Sequence, residues 1–409
     1  MKKIALLHFA YPPNTGGVEI LLREHAIVFT ELGYEVTVLT GSGEEKNPKI
    51  KFFVLPEFQS VLNFNPSLQK KILEEGKIDE DFYQLAKIIE DHLEHYLKNQ
   101  EIIIVHNMLT IVRNLPFVYA FRNFIKKHPE KKYIAWVHDH SYIHEQKIKD
   151  LDRIINSKLE RELLTNPLAG VTYVTISEIF KKALIQLLRL QADKVSVILN
   201  GINLKRFLEI DNVIWNIVEK YKLLNAFPLI LQPVNLLGRK NIEYSIDILN
   251  QLRKDFPLVR LIITGNPSRH RSTEEYLKNL KNKIKSLNLD SCVIFFHEFL
   301  SQSLDESALH DLYVLSDVVF YFSKSENFGL PLLEAELSKI PIFVSNLEVF
   351  HEIGKDYIMY IDYKTTSVAS AADMIKSYIT TSKLTQGHYF ARTNSDLKTI
   401  LIQKLIPLF

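Results

Sequence analysis

The sequence is poor in cysteine, in long apolar runs and in net charge. Its single cysteine, Cys292, excludes an intrachain disulfide and fits a reducing compartment, and its strand-like neighbours predict a core position rather than a nucleophile. No apolar segment approaches the roughly 20 residues of a membrane-spanning helix. The formal net charge of +2 gives no reason to expect nucleic acid as the main partner. We therefore expect a cytoplasmic protein.

Peripheral contact with a membrane is a second expectation, and it comes from clustered lysines. Such clusters are most often solvated helix faces, but they can also touch an anionic surface such as the inner face of a membrane. The clusters in question are Lys126-Lys127 with Lys131-Lys132, and Lys181-Lys182 before an apolar helix.

The 409 residues are too many for one ordinary core and fit two domains of similar size. Short apolar runs alternate with helical periodicity in both halves, which predicts an α/β fold with two doubly wound parallel sheets. Ligands of such sheets bind at the carboxyl ends of the strands. The predicted strands are Lys3–His8, Glu35–Leu39, Ile102–His106, Tyr133–Val137, Val171–Ile176 and Val195–Leu199, then Leu229–Val234, Leu258–Thr264, Val293–Phe296, Val318–Phe322 and Ile342–Val344.

Two carboxylates, Glu326 and Glu334, flank a glycine turn and a predicted helix start in the second half. Pro331 fits the first residue of a helix, where its missing N–H costs nothing. The free amides of that turn and the helix dipole favour an anion such as a diphosphate, and Glu334 can accept hydrogen bonds from vicinal hydroxyls. For an isolated pair of glutamates, solvated acids beside a loop would be the better interpretation. The surrounding residues change that judgement.

The segment SENFGLPLLEAELSKIPIFV, residues 325–344, resembles the E-x7-E signature of the retaining GT-B glycosyltransferases of family 4. This resemblance implies two Rossmann-like domains that face each other across a cleft. It implies that Glu326 contacts the donor sugar, that the following amides contact sugar and diphosphate, and that Glu334 holds the ribose. Asn327 and Lys339 stand where the family usually has glycine. The donor-binding residues carried over here are Glu326, Asn327, Phe328, Gly329, Leu330 and Glu334.

Two glycines follow the first predicted strand in the run Pro12 to Glu19, before a helix predicted to begin near Ile20. Glycine lets the backbone approach a ligand closely, but glycines are common in strand-to-helix loops. The loop is similar to the family's P-x-x-G-G-x-E element, which approaches the donor phosphate or the acceptor. Gly16 and Gly17 are the positions that this similarity assigns to donor binding.

Trp136 to His140 ends the predicted fourth strand and would point into the cleft. His138 matches a family histidine that contacts the donor sugar, and Asp139 could orient that imidazole or bind an acceptor hydroxyl. A metal site of His138, His140 and His144 is a weaker alternative, since this spacing matches no standard zinc pattern. His106, at another strand end, fits a core histidine as well as a ligand.

Arg239 and Lys240 follow the first strand of the second half. Cations at this position could stabilise a departing diphosphate without a metal, whereas an isolated Arg-Lys pair is more often a solvated loop. The segment is similar to the family's G-R-L-x(n)-K-N/G element. Asn235 occupies the place of the family arginine, and Arg239 is the candidate to replace it.

The resemblance predicts three segments: an acceptor-side domain over residues 1–206, a donor domain over residues 207–390, and a C-terminal helix over residues 391–409 that packs back on the first domain. It implies a hexosyltransferase with His138, Lys240, Arg239 and Glu326 as catalytic residues. It implies a UDP- or GDP-sugar as co-substrate, glucose or mannose as the sugar, and neither metal nor other cofactor. The acceptor could be a lipid-linked saccharide, a polysaccharide or a small molecule.

Two other functions are compatible with the same fold. A nucleotide-sugar epimerase or hydrolase would turn over the sugar nucleotide without an acceptor. A non-catalytic binding subunit would have no chemical need for Glu326, Glu334, His138 and Lys240, which argues against it.

Overall fold

Two parallel β-sheets organise the chain in the computed structural model, which describes residues 2–14, 16–143, 157–266, 271–299 and 304–409, with Arg271 described by its backbone only. The first unit comprises Met1–Ile202 and Leu397–Phe409, and the second comprises Asn203–Asp396. His144 of the alternative metal site lies outside the described residues. Each unit is an α/β fold of the Rossmann type, as the alternation of strands and helices predicted.

The first sheet has seven parallel strands in the order β3-β2-β1-β4-β5-β6-β7. Its strands are β1 Lys3–His8, β2 Glu35–Thr40, β3 Lys51–Val54, β4 Ile102–His106, β5 Lys132–Val137, β6 Val171–Thr175 and β7 Val195–Val197. The helices of this unit are Gly17–Glu31, Val61–Phe64, Pro66–Leu73, Glu80–Leu97, Leu115–Lys127, Lys158–Thr165, Glu178–Leu188 and Leu397–Ile400, and the last continues as a π-helical turn, Leu401–Leu405.

Apolar side chains cover both faces of this sheet because successive residues of a strand point to opposite sides. In β1, Ala5 and Leu7 join one buried cluster, whereas Ile4 and Leu6 join the other. The second cluster also contains Leu397, Leu401 and Leu405. The C-terminal segment is therefore part of the core of the first unit.

The second sheet has six parallel strands in the order β10-β9-β8-β11-β12-β13. Its strands are β8 Leu229–Gln232, β9 Arg260–Ile263, β10 Val293–Phe295, β11 Val318–Tyr321, β12 Ile342–Ser345 and β13 Met359–Ile361. The helices are Leu204–Phe207, Asn212–Tyr221, Ile242–Leu252, Arg271–Ser286, Glu306–Leu315, Leu330–Leu337, Glu348–Gly354, Val368–Thr381 and Lys383–Asn394.

The strand order reverses at one point in each sheet, between β1 and β4 and between β8 and β11. At such a point the loops that follow the two neighbouring strands diverge and leave a crevice for a ligand. The loops after β8 and β11 contain Arg239, Lys240 and Glu326. The loop after β1 ends at Gly16, and Gly17 begins the helix that follows.

Several sequence expectations differ from the structure. Strands β3 and β13 were not predicted, so the strand that ends at Val137 is the fifth along the chain and not the fourth. The helix after the glycine loop begins at Gly17 rather than near Ile20, and the helix at Pro331 begins one residue earlier, at Leu330. Residues 391–394 belong to a helix of the second unit, and the return to the first unit begins at Leu397.

Candidate active site

Two cations and one carboxylate meet where the loops after β8 and β11 approach each other. Lys240 donates through Nζ to Glu326 Oε1, and Arg239 Nη1 lies 3.0 Å from Glu326 Oε2. Ser323 Oγ donates to Glu326 Oε1 at 2.7 Å. Lys240 and Glu326 have side chains only 9% and 10% exposed, whereas that of Arg239 is 46% exposed. The group thus carries a net positive charge at the end of the sheet.

Glu326 is an ionised carboxylate in this setting. Burial is the largest influence on its pKa and raises it. Hydrogen bonds from Lys240, Ser323 and Arg239 act in the opposite direction, and the net result is a pKa below the usual carboxyl value. Oε1 receives two donors, Lys240 and Ser323, which fill its lone pairs, and Oε2 faces Arg239. The hydroxyl of Tyr321, which accepts a hydrogen bond from Lys240 Nζ at 3.3 Å, also lies against Glu326.

A helix start forms the next part of the site. Gly329 precedes the helix Leu330–Leu337 and has a φ of +125°, a backbone conformation that residues with a Cβ rarely adopt. Phe328 and Leu330 on either side of it are at least half exposed. Leu330 and Pro331, at the start of this helix, line the same pocket as Lys240. Pro331 has no N–H, and the N–H of Leu332 donates to the carbonyl of Gly329 at 3.0 Å, so the N–H of Leu330 and the positive end of the helix dipole are what this helix start can offer an anion.

Glu334, one turn into that helix, is held by a tyrosine from another helix. Tyr313 is 2% exposed and donates its hydroxyl to Glu334 Oε2 at 2.7 Å. Burial and then the neighbouring Glu334 raise the pKa of Tyr313, so its hydroxyl stays protonated and remains a donor. Glu334 also lines the same pocket as Lys240.

Arg239, Lys240, Glu326, Glu334 and the helix start at Leu330 line one cavity of about 750 Å³ in the second unit. Asn235, at the place of the family arginine, lines it together with Arg239 and Lys240. Gly265 closes the side next to β9. The structure therefore brings together the donor-binding residues predicted in this half of the chain, which are Arg239, Lys240, Glu326, Asn327, Phe328, Gly329, Leu330 and Glu334.

A second cavity, of about 570 Å³, lies in the first unit. Gly16, Gly17 and Asp139 line it, all three of which were predicted from the sequence. The carboxylate of Asp139 accepts a hydrogen bond from the backbone N–H of His140 at 2.7 Å. The orientation of His138 comes from a different residue, His106, whose Nδ1 lies 3.1 Å from His138 Nε2.

His138 is a neutral imidazole at physiological pH. Burial lowers its pKa to about 3, and nearby His8 acts in the same direction. Asn107 Oδ1 accepts hydrogen bonds from the backbone N–H groups of His138 and Asp139, which fixes the turn after β5. His138 Nε2 faces His106, and His140 Nε2 faces the carbonyl of Leu164 at 3.0 Å. Among the described residues, no group of three His, Cys, Asp or Glu side chains is arranged to hold a metal ion.

The structure adds residues that line a pocket or hold a pocket residue in place, and to which the sequence assigned no role. In the second unit these are Tyr313 and Ser323, which hold the two glutamates. In the first unit they are Glu19, Arg113 and Glu160. Glu19 and Arg113 follow strands β1 and β4, and their positions after parallel strands could have marked them as site residues. Glu160 lies on the helix Lys158–Thr165, and its position in the sequence does not mark it in this way.

Two family models match the chain. The model described as Glycosyltransferase Family 4 matches residues 15–206, and the model described as Glycosyl transferases group 1 matches residues 213–388. Together they span the glycine loop, the strand end at His138 and both glutamates of the E-x7-E segment. The chain belongs to the family 4 glycosyltransferases of GT-B fold. This enzyme is thus a glycosyltransferase, as the resemblance implied.

Similar proteins align with this glycosyltransferase over most of its length. Mannosylglucosylglycerate synthase of Thermotoga maritima is 25% identical over 371 residues, which cover 85% of this chain and 81% of that protein. The protein of the same name from Petrotoga mobilis is 22% identical, with 91% and 87% covered. The crystal structure of Anabaena HepE in complex with UDP is 17% identical, covers 98% of both chains and has a TM-score of 0.36.

The length and polarity of the helices determine whether any of them could cross a membrane. Within the part of the chain that the structure describes, every helix is too short or too polar to span a bilayer.

Proposed function

We propose that this glycosyltransferase moves a hexosyl group from a nucleoside diphosphate sugar to an acceptor hydroxyl, with retention of the anomeric configuration. Mannose is the first candidate for the sugar, since both relatives of near full length carry mannosyl in their names, and glucose is the second. The observation that carries the proposal is the convergence of Arg239 and Lys240 on Glu326 beside the start of the helix Leu330–Leu337.

The cationic group has the charge that a diphosphate requires. Two positive side chains face one carboxylate, so an arriving diphosphate meets a net positive site without a metal ion. Lys240 is a largely buried point charge, and Arg239 is an exposed fork that can turn toward a phosphate. We therefore propose metal-independent transfer, in which these two residues stabilise the leaving group.

The two glutamates have different hydrogen-bonding capacity, which supports different roles. Lys240, Ser323 and Arg239 occupy most of the acceptor positions of Glu326, and the Tyr321 hydroxyl lies beside it, so Glu326 can accept at most a single sugar hydroxyl. Glu334 keeps Oε1 and part of Oε2, enough for two adjacent ribose hydroxyls. Glu326 is thus the candidate for the sugar and Glu334 for the ribose.

The acceptor is proposed to bind in the cavity of the first unit. Its carboxylates, Glu19, Asp139 and Glu160, can accept hydrogen bonds from the hydroxyls of a saccharide or another polyol. In the transfer step the acceptor oxygen bonds to the anomeric carbon on the face that the diphosphate leaves, and the leaving diphosphate accepts the hydroxyl proton. The chain itself forms no covalent bond in this scheme.

The purified chain should be incubated with GDP-mannose, UDP-glucose and related sugar nucleotides, with and without saccharide acceptors and with and without a chelator. We expect product only when an acceptor is present. NMR of that product should show that the new glycosidic bond has the anomeric configuration of the donor. K240A should lower turnover at least about 100-fold, since it removes a buried charge from the leaving-group site.

K254A is the matched control, because Lys254 lies in the same unit and donates only to the nearby Gln251 Oε1 among the contacts that the structure describes. Normal transfer by K240A would refute the assigned site. Loss of activity with the chelator would refute metal independence, and sugar-nucleotide turnover without acceptor would favour an epimerase or hydrolase.

A further inference from the structure

Four histidines and a tryptophan pack together at the carboxyl end of the first sheet. His8 and His106 end β1 and β4, His138 follows β5, and His25 comes from the helix Gly17–Glu31. The rings of His106 and His138 are 5.4 Å apart and nearly parallel, and Trp136 stacks on both. Of these side chains, His138 is partly exposed, while His25 and His106 are fully buried.

The contact between His106 Nδ1 and His138 Nε2 is a hydrogen bond between two neutral rings. Burial lowers the pKa of both histidines, to about 3 for His138 and well below its usual value for His106. A neutral imidazole has one N–H and one bare nitrogen. One ring must therefore donate and the other accept, and only two arrangements exist.

The other nitrogen of His106 decides between them. His106 Nε2 is buried and has no hydrogen-bond partner among the described residues. If it carried the proton, an N–H would be buried without an acceptor, which is the rarer and more costly situation. A bare Nε2 leaves the proton on Nδ1, where it is donated to His138 Nε2.

We infer that His106 is a positioning residue that holds His138 in the tautomer with its proton on Nδ1. His138 Nε2 is then occupied as an acceptor, and the partly exposed ring offers a ligand an N–H donor at Nδ1. His138 cannot act as a general base in this state. The inference rests on the proposed function only in identifying that ligand as a sugar oxygen.

The charged neighbours of this pair are compatible with a fixed tautomer. His8 Nδ1 lies 2.8 Å from the carbonyl oxygen of His106, to which it donates, and its Nε2 lies 3.6 Å from Glu19 Oε1. Glu19 favours a charged His138 whereas His8 disfavours it, and burial outweighs both. His25 packs on His106 and Trp136, and neither of its ring nitrogens has a partner among the described residues. No described contact of His138 therefore competes with His106 for Nε2.

The tautomer can be measured without any substrate. In the 15N-labelled full chain at pH 7, ring 15N–1H correlation spectra should show His138 protonated at Nδ1 and bare at Nε2, with its signals assigned from H138Q. In H106L the two tautomers of His138 should coexist. Wild-type His138 protonated at Nε2 would overturn the inference, whether or not the protein transfers a hexosyl group.

Transfer assays then separate orientation from packing. H106L should lower kcat about tenfold, the equivalent of one hydrogen bond, and leave nucleotide affinity unchanged. H106N, whose amide N–H can replace the Nδ1–H donor, should recover most of that loss. H25L disturbs the same buried cluster without touching the hydrogen bond and should stay within about twofold of the wild type.

Equal losses in H106N, H106L and H25L would show a packing effect and overturn the positioning role. In the wild type, kcat should show no titration of His138 between pH 5 and 8. An inactive wild type would refute the proposed function but not the tautomer.

Discussion

Tyr313 and Glu334 form a hydrogen-bonded pair whose members come from two different helices. The tyrosine hydroxyl fixes the carboxylate that we assign to the ribose. Replacing Tyr313 by Phe keeps the buried ring and removes only the hydroxyl. We expect the Kd for the donor's nucleoside diphosphate to rise about tenfold in calorimetric titration, because the carboxylate loses a donor that orients it.

Tyr244 offers the matched control for this substitution. Its hydroxyl is also buried in the second unit, but it has no hydrogen-bond partner among the described residues. Y244F should therefore bind nucleotide as the wild type does. Equal affinities for Y313F and the wild type would show that Glu334 needs no support from Tyr313.

At the scale of single residues, the sequence was informative about groups that contact a ligand and uninformative about groups that hold them. Glu326, Glu334 and Lys240 could be predicted because a motif fixes their place after a strand or at a helix start. Tyr313 and Ser323 act through contacts that depend on how two helices and a loop pack. Tyr313 lies 21 residues before Glu334, whereas Ser323 lies only 3 residues before Glu326, and neither residue is part of the E-x7-E pattern.

At the scale of elements, the loop after β8 depends on one close backbone approach. A Cβ on Gly265 would lie 2.1 Å from the carbonyl oxygen of Val234 and 2.3 Å from the Cα of Asn235. Backbone atoms cannot move aside to relieve such a clash, whereas the flexible end of a side chain can. G265A should therefore move the loop that leads to Arg239 and Lys240, destabilise the protein by about 1–3 kcal/mol and weaken nucleotide binding.

Gly238 in the same loop is a suitable comparison, since a Cβ there would meet no atom within 4 Å. G238A should retain the Tm and nucleotide affinity of the wild type. Denaturation and binding of the two variants can be measured in parallel. A fully stable G265A that binds nucleotide normally would contradict the close approach.

The predicted elements were correct where strands are buried on both faces. Such strands are continuous apolar runs, and β1, β4, β8 and β11 are of this kind. β3 lies at the edge of the first sheet, and none of its residues is fully buried, so its sequence resembles a loop. β13 is an edge strand of only three residues.

At the scale of the whole molecule, buried neutral histidines make stability depend on pH. The pKa of His25 falls from 6.5 to about 3 in the folded state because burial disfavours the imidazolium. Below pH 6.5 the unfolded chain binds a proton that the folded chain does not, so stability rises with pH up to about 6.5. At pH 5 His25 alone costs about 2 kcal/mol.

H25F removes this titration and keeps an aromatic ring in the same place. Its denaturant midpoint should fall less than that of the wild type between pH 7 and pH 5, as followed by circular dichroism at each pH. Parallel shifts for both proteins would mean that His25 is not a source of the acid sensitivity.

The path of the chain through the two units has a consequence for biosynthesis. The chain leaves the first unit at Ile202 and returns at Leu397, whose N–H donates to the carbonyl of Ile202 at 2.9 Å. Leu397, Leu401 and Leu405 fill one face of the first core. A ribosome therefore completes the second unit before it delivers these leucines, and the unit begun first is the last that can finish folding.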